Sequence, residues 1–572
     1  MKKWFVLNKP VDYISLSKET GLNPVVVKTL INRGIDTKEK IDNFFKESTA
    51  MHSPYQLKDI EKARDIILDK IAKGKKIRIV GDYDVDGITS TYILYDAFRI
   101  LGADVSYRIP DRINDGYGIN DTIVNECHDD GINTIVTCDN GIAARSQIEL
   151  ANSLGMTVVI TDHHDIPIID GKEIIPDAVA VVNPHRSDDK SEFKEICGAV
   201  VAYKLVQTLF EKTGKGEIEK YNDFITIATV CDVMELRNEN RTIVKNGLKK
   251  LPGTSNVGLK ALFNVYSLSE ITVFHLGFVI GAALNATGRI KTADIALELL
   301  LCDDMQKALE KAETLKEIND TRKEMTKKGF EEALDYIDDD DKVIVVYLKD
   351  VHESLAGIIA GRIKEIYDKP AIVLTKTISG IVKGSCRSVE KYNISEALMK
   401  CNDLLIKFGG HPMAAGLSLE EKNFFKFKDR LNEDAKDIDF TSKVLIDYVL
   451  PFKEVTPQLI YDIQMLEPCG TGNEKPVIAL NEVTLSGGKV LGSKRNAVRF
   501  VAKDKNKTEI NAIMFCEADK FMEQLAEKFG KQEVDKLFAG LNNNIKLSII
   551  YEPEINKYNG KETLQIRIKD WR

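Results

Sequence analysis

The sequence predicts an α/β protein in three parts. A parallel-sheet domain is joined by a long helix to a second α/β domain, and an all-β domain follows at the C-terminus. Three observations predict this. Between Lys75 and Pro184, short β-branched runs alternate with helix-like segments, the pattern of βαβ units on a parallel sheet. From about Asp304 to Ala333 the chain is laced with charge and poor in breakers, as a connecting helix requires. From about residue 445 onward, apolar and polar residues alternate, the period of half-buried strands. At 572 residues the chain is too long for one core. The expected boundaries are 1–302 for an N-terminal extension with the first α/β domain, 303–335 for the helix, 336–442 for the second α/β domain and 443–572 for the β domain.

The elements follow in order. Strands are expected at Ile77–Val80, Val105–Ile109, Thr134–Cys138, Thr157–Ile160 and Ala178–Val182, with helices such as Thr89–Leu101 and Arg145–Leu154 between them. Residues 200 to 300 read as mainly helical. Past the connecting helix, Asp338–Asp341 reads as a solvated loop. Val343–Leu348 and Ala371–Leu374 read as strands, and Leu355–Tyr367 as a helix stopped before Pro370. Ser395–Lys407 reads as a helix ended by Gly409-Gly410, and Asn423–Asp434 as a last helix. In the β domain, strands are expected at Val498–Val501, Ile510–Met514, Lys546–Tyr551 and Leu564–Ile568, with a hairpin turn at Asn559-Gly560.

A composition of 43% hydrophobic and 29% charged residues suits a folded, water-soluble chain. The net charge of −8 argues against general polyanion binding, but a site that gathers acids around cations escapes that argument. The nine cysteines contain no CxxC pair, which disfavours a zinc ribbon and suits reduced thiols in a cytoplasm. Trp4–Leu7 is too short an apolar run for a signal peptide. The longest stretch without Lys, Arg, Asp or Glu, around Ile271 to Ala286, is too short to cross a bilayer and reads as a buried helix. No membrane association is expected.

The sharpest motif is Gly81-Asp82-Tyr83-Asp84-Val85-Asp86-Gly87, directly after the first strand. In an extended chain Asp82, Asp84 and Asp86 project to one side. Such a row of carboxylates repels itself unless a cation lies among them, and hard oxygen donors suit magnesium or manganese. The spacing also matches the start of a calcium loop, but Ile93 stands where the bidentate Glu belongs. Asp139 follows the strand Thr134–Cys138, and Asp162, His163 and His164 follow Thr157–Ile160. All of these groups fall past the carboxyl ends of strands, where open α/β sheets bind ligands. Asp232, inside the apolar run Ile227–Val233, would be costly to bury unpaired. These donors exceed the needs of one ion. Two ions are expected, as in sites that displace oxygen at phosphorus.

At these residues the sequence resembles the RecJ branch of the DHH phosphoesterase superfamily, named for the Asp162-His163-His164 triplet. The resemblance runs through Gly81–Ser90, Asn32–Ile35, Pro54–Ala63, Pro110-Asp111-Arg112, Gly116-Tyr117-Gly118 and Leu284–Arg289. It continues through Gly384–Ser388, Gly409-Gly410-His411 and Leu466–Asn473. It departs at Gly281-Ala282-Ala283, Val351–Ser354, Cys386 and Cys469, none of them an expected metal ligand.

The resemblance implies a DHH-associated second domain and a C-terminal OB fold. It implies a 5′→3′ exonuclease for single-stranded DNA that releases 5′ mononucleotides in DNA repair and recombination, using two Mn2+ or Mg2+ ions. Asp82, Asp84 and Asp139 would hold one ion, and Asp86, Asp139, His163 and Asp232 the other, with His164 near the scissile phosphate. Arg112, Ser385 and Arg387 would clamp the terminal phosphate. Arg289 and Asn285 would guide the strand, and His411 would face the metals. Single-strand-binding protein and a helicase are the implied partners, and the chain itself is expected to be a monomer. Basic groups at Lys494, Arg495, Arg499, Lys557, Lys561 and Arg567, with Tyr558, suit a single strand on the OB fold. Two alternatives stand beside this reading. A DHH phosphodiesterase of short oligonucleotides or cyclic dinucleotides would not need the N-terminal region and the C-terminal barrel. A non-catalytic scaffold would not keep the acids and histidines.

Overall fold

The computed structural model describes residues 2–46, 51–377, 380–558 and 560–572. The chain divides into two compact units, Thr49–Thr441 and a second made of Met1–Ser48 with Ser442–Arg572. The N-terminal residues therefore do not belong with the first α/β domain, as the boundary at 302 expects. The reason is a parallel pairing of Lys3–Val6 with Lys443–Ile446, together with burial of Val25 in the barrel core.

In the larger unit, β1 (Ile77–Val80), β2 (Val105–Arg108), β3 (Thr134–Cys138), β4 (Thr157–Thr161) and β5 (Ala180–Val182) form one all-parallel sheet in the order β2-β1-β3-β4-β5. Its central strands β3 and β4 are buried almost throughout, which explains their unbroken apolar and β-branched character. The order reverses between β1 and β3: the chain leaves β1 for β2 on one side and returns to β3 on the other. That switch point opens a crevice at the carboxyl ends of both strands.

Helices α1 (Val85–Leu101), α2 (Gly198–Thr213) and α3 (Asn222–Cys231) pack on the sheet. A π-helical turn at His275–Ile280 runs into α4 (Gly281–Ile290), and α5 (Met305–Leu334) is the connecting helix. The stretch Ile271–Ala286 is helical from Val273 on, as its lack of charge suggests, but it is buried on one side only. Leu276 and Ile280 are buried, but Phe274 is 60% exposed and Phe278 71% exposed.

The second lobe of this unit has a five-stranded sheet. Strands β6 (Ile344–Tyr347) and β7 (Ala371–Lys376) are parallel, with α6 (Ala356–Tyr367) between them. Strands β8 (Val382–Arg387), β9 (Leu405–His411) and β10 (Ala414–Leu419) extend the sheet antiparallel. The expected helix Ser395–Lys407 is cut short: the helix is Ile394–Met399, and Gly409-Gly410 lies within β9, opposite Gly416 and Ala415. These glycines pair within a strand and do not stop a helix; at Gly410, with φ 147°, a Cβ would stand 2.5 Å from the Ala414 carbonyl oxygen.

In the smaller unit, strands Ile478–Leu491, Ala497–Lys503, Glu509–Phe515, Lys561–Trp571 and Lys546–Tyr558 pair in that order, and the last pairs back to the first. Closure into a barrel removes exposed edges. Arg495, Lys557 and Arg567 pair with Asp519, Glu562 and Glu552, so part of the expected basic surface is neutralised. Asn559 and the side chain of Tyr558 lie outside the described residues. Among the described residues no helix is long and apolar enough to cross a membrane.

Candidate active site

The acidic motif does not stay extended. Helix α1 begins at Val85, and Asp84 caps it by accepting from the Gly87 N–H at 3.1 Å, the ordinary use of Asp at this position. Asp82 therefore lies on the loop, Asp84 at the cap and Asp86 in the first helical turn. Asn285 Oδ1 accepts the Val85 N–H at 3.2 Å and fixes the loop from α4. The helix start separates the three carboxylates into two groups rather than one row.

Asp82, Asp84 and Asp139 present ligand atoms within 4.8 Å of one another, and so do Asp86, His163 and Asp232. Donors on opposite sides of one small divalent ion stand about 4 Å apart. Asp139 joins the groups. It has φ 60° just past β3, a left-handed turn that Asp tolerates, and its Oδ1 is 3.1 Å from His163 Nε2. The same Nε2 is 3.5 Å from Asp86 and 3.7 Å from Asp232. Asp139, His163 and His164 form a third overlapping group.

The residues fit cations on evidence internal to the fold. Asp82 Oδ1 and Asp139 Oδ1 are buried without a hydrogen-bond partner, a costly state that an ion relieves. Burial first, then neighbouring carboxylates, drives Asp82 and Asp139 well above the usual carboxylate range and pushes Asp232 up to about 9. Asp232 is also the C-cap of α3, where the helix dipole disfavours an anion. Burial holds His163 below its usual value despite the nearby Asp86, which favours the neutral ring that coordinates metal.

Asp162 stands apart. Its oxygens accept from the backbone N–H groups of Ile142, His163 and His164, and Oδ1 lies 2.7 Å from His164 Nδ1. It orients the triplet and is not free to coordinate. Burial alone would lower His164, but its bond to Asp162 and the surrounding carboxylates raise it to about 9. The Tyr117 hydroxyl, not singled out from the sequence, donates to the Asp139 carbonyl at 2.8 Å and reaches the His164 ring at 3.2 Å.

Asp86 is oriented from α2, whose first N–H groups, Gly198 and Ala199, donate to its carboxylate at 2.6 and 2.8 Å. A Cβ at Gly198 would stand 2.8 Å from Asp139 Cβ and 2.9 Å from its Oδ1. Gly198→Ala is expected to destabilise the protein by about 1–3 kcal/mol through overpacking and to lower activity. A thermal melt beside a kcat measurement checks both.

Next to the acids lies a cluster of arginines. The Arg112 guanidinium stacks 3.8 Å from the Tyr83 ring centroid, between Asp82 and Asp84 in sequence, and its Nε is buried without a partner. Burial and the proximity of Arg112, Arg322 and Arg387 lower Arg289 to about 10, and burial lowers Arg387. Arg322, on α5, is a member that sequence reasoning missed. Ser385 and Arg387 project from β8 onto the first turn of α6: a Cβ at Gly357 would meet Arg387 Nη2 at 3.0 Å and Ser385 Oγ at 3.5 Å. Crowded guanidinium groups, a hydroxyl and a helix N-terminus make an anion site. His411 lies on strand β9, not on a loop. With Lys407 it lines a cavity of about 1030 Å³ that His164 and Tyr117 also line.

Comparison with known proteins agrees with this geometry. Residues 76–229 match the DHH family, N-terminal domain; residues 340–437 match the DHHA1 domain; residues 446–570 match the RecJ OB domain. The single-stranded-DNA-specific exonuclease RecJ of Bacillus subtilis is 32% identical over 99% of this chain and 70% of its own length. The chain belongs to the RecJ family. The RecJ of Escherichia coli is 34% identical over 72% of this chain and 74% of its own length. The crystal structure of Thermus thermophilus RecJ with Mn2+ superposes with a TM-score of 0.82 at 27% identity, covering 100% of this chain and 79% of that one. The Mg2+ complex of the same protein gives 0.77 at 26% identity, covering 100% of this chain and 78% of that one. One of these RecJ structures contains Mn2+ and the other Mg2+, the kinds of cation that the acidic groups suit.

Proposed function

We propose that this chain is a single-stranded-DNA-specific exonuclease that engages a 5′ phosphate and hydrolyses the strand to 5′ mononucleotides. One observation carries the reading: Tyr83 stands between Asp82 and Asp84 and bears Arg112 on its ring, so an anion clamp adjoins the acidic cluster. A terminal phosphate held there leaves the next phosphodiester at the carboxylates, and the cut removes one nucleotide. DNA as the substrate follows the relatives' names.

Asp82, Asp84 and Asp139 would hold one ion, and Asp86, Asp139, His163 and Asp232 the other. When bound, Mn2+ or Mg2+ supplies an activated water and Lewis acidity at the phosphate. The chain's own groups do the rest. Arg112, Ser385, Arg387 and the start of α6 bind the terminal phosphate. His164, held by Asp162, is placed to give a ring proton to the departing 3′ oxygen. Because the 3′ oxygen leaves, the shortened strand again ends in a 5′ phosphate, and the clamp can re-engage it. Asn285 and Arg289 line the strand's path along α4, and His411 closes the site from the second lobe. The domain limits follow the matched segments, with the N-terminal residues assigned to the barrel unit. A cytoplasmic location suits nine cysteines free of disulfides. Single-strand-binding protein and a helicase are partners by family resemblance alone.

The test is digestion of single-stranded DNA labelled separately at each end. With Mn2+, the 5′ label is expected to appear first as a mononucleotide, and excess chelator should stop the reaction. Early release of the 3′ label, or a preference for dinucleotides over long strands, would overturn the reading.

A further inference from the structure

The π-turn that precedes α4 carries two aromatic rings out of the fold. Phe274 and Phe278 are 60% and 71% exposed, and they stack on each other with centroids 5.2 Å apart and planes 24° apart. Exposing two phenyl rings side by side costs apolar burial that the rest of this helix achieves with Leu276, Ile280 and Leu284. π-turns recur at functional sites.

Their place in the fold says what they face. From the π-turn the same helical rail runs past the acids to the arginines. Gly281 packs against Cys231, next to Asp232; Asn285 holds the Val85 N–H; Gly288 packs against Tyr83; Arg289 joins the clamp. Phe274, Phe278, Asn285 and Arg289 are spaced four, seven and four residues apart, the recurrence of one helical stripe. Phe278 and Arg289 are about 16 Å apart along the axis. The clamp is at one end, the acidic cluster lies between, and the aromatic pair is at the other end.

We propose that Phe274 and Phe278 form a stacking platform for a base of the strand on the 3′ side of the scissile phosphodiester, beyond the nucleotide that adjoins it. This rests on the exonuclease reading above: with the 5′ end in the clamp, the uncut strand must leave the acids away from Arg289. Every base offers a π-face, so such a platform holds a single strand without reading its sequence. The cavity beyond His164 mixes both signs, with Asp115, Asp165 and Glu173 alongside Lys407, His185 and His411, and among the described residues it holds no stacked aromatic pair.

The test compares Phe274→Ala/Phe278→Ala with the unaltered chain on a long 5′-phosphorylated strand and on a 5′-phosphorylated dinucleotide, both with Mn2+. Both side chains are exposed, so the fold should tolerate the change. The expected result is a KM for the long strand raised about tenfold, with kcat and the dinucleotide reaction unchanged. Fluorescence polarisation of the long strand in chelator should show the same loss of affinity. Tyr at both positions should restore binding, and Leu at both should not. An unchanged KM, an equal loss on the dinucleotide, or rescue by Leu would each overturn the platform, the last in favour of a plain apolar contact without stacking. The unaltered chain in the same assay separates these failures: if it does not degrade the long strand, the exonuclease reading itself has failed.

Discussion

Asp139→Asn should abolish nuclease activity while making the chelated protein more stable. Asp139 is shared by two of the three donor groups, so its loss disturbs both ion positions. Metal-bound centres stabilise the transition state by several kcal/mol, and a fall of about a thousandfold in kcat is expected. The stability effect has the opposite sign. Asp139 is 2% exposed, and burial together with Asp86, Asp84, Asp232 and Asp82 opposes its ionisation.

A carboxyl whose folded pKa lies above its unfolded value contributes fully below the unfolded value, and its contribution is lost as pH rises toward the folded one. With chelator present, the unaltered protein should therefore lose stability as pH climbs from Asp139's ordinary 3.8, and the Asn variant should lose less. Adding Mn2+ reverses the ranking, because ligands that bind only the folded state stabilise it by linkage. Melting curves in chelator and in Mn2+, across pH, check this. A variant that melts lower than the unaltered chain in both conditions would point to misfolding instead.

The site was legible in the sequence because its parts obey a local rule. The strands Ile77–Val80, Thr134–Cys138 and Thr157–Thr161 are short buried runs, and each is followed within two residues by its first acid. A parallel sheet aligns the carboxyl ends of its strands, so order in sequence becomes proximity in space. The reading failed where partners are distant. Nothing near Lys3–Val6 announces a pairing with Lys443–Ile446. Asp84 reads as strand-like from the sequence, since its capping role depends on a helix that starts one residue later.

Gly409-Gly410 reads as a stop because glycine serves a close strand pairing, as at Gly410, as well as a helix end. An uncharged segment was read as buried, yet Phe274 and Phe278 face solvent. Hydrophobicity reports what a residue prefers, and a binding surface overrides that preference. Gly357 and Arg322 carry no motif of their own and become visible only beside Arg387 and Arg289.

Arg387→Ala should cost the enzyme its preference for a 5′ phosphate. Arg387 lies among guanidinium groups rather than carboxylates: burial lowers its pKa, and Arg112 lowers it further. Like charges gathered in a half-buried place repel one another, and a bound dianion removes that repulsion. The same arrangement with a carboxylate partner would be an ordinary structural ion pair and would bind no phosphate. A hydrogen bond to a charged group contributes about 1.5–3 kcal/mol, so kcat/KM on 5′-phosphorylated strands should fall about ten- to a hundredfold. Strands ending in a 5′ hydroxyl should respond far less, since they never engaged the full contact.

Arg387→Lys should fall between the two, because an ammonium keeps the charge but loses the planar fork. If both kinds of end lose activity equally, Arg387 positions α6 and Ser385 rather than the phosphate, and the clamp must be sought at Arg112 and Arg289.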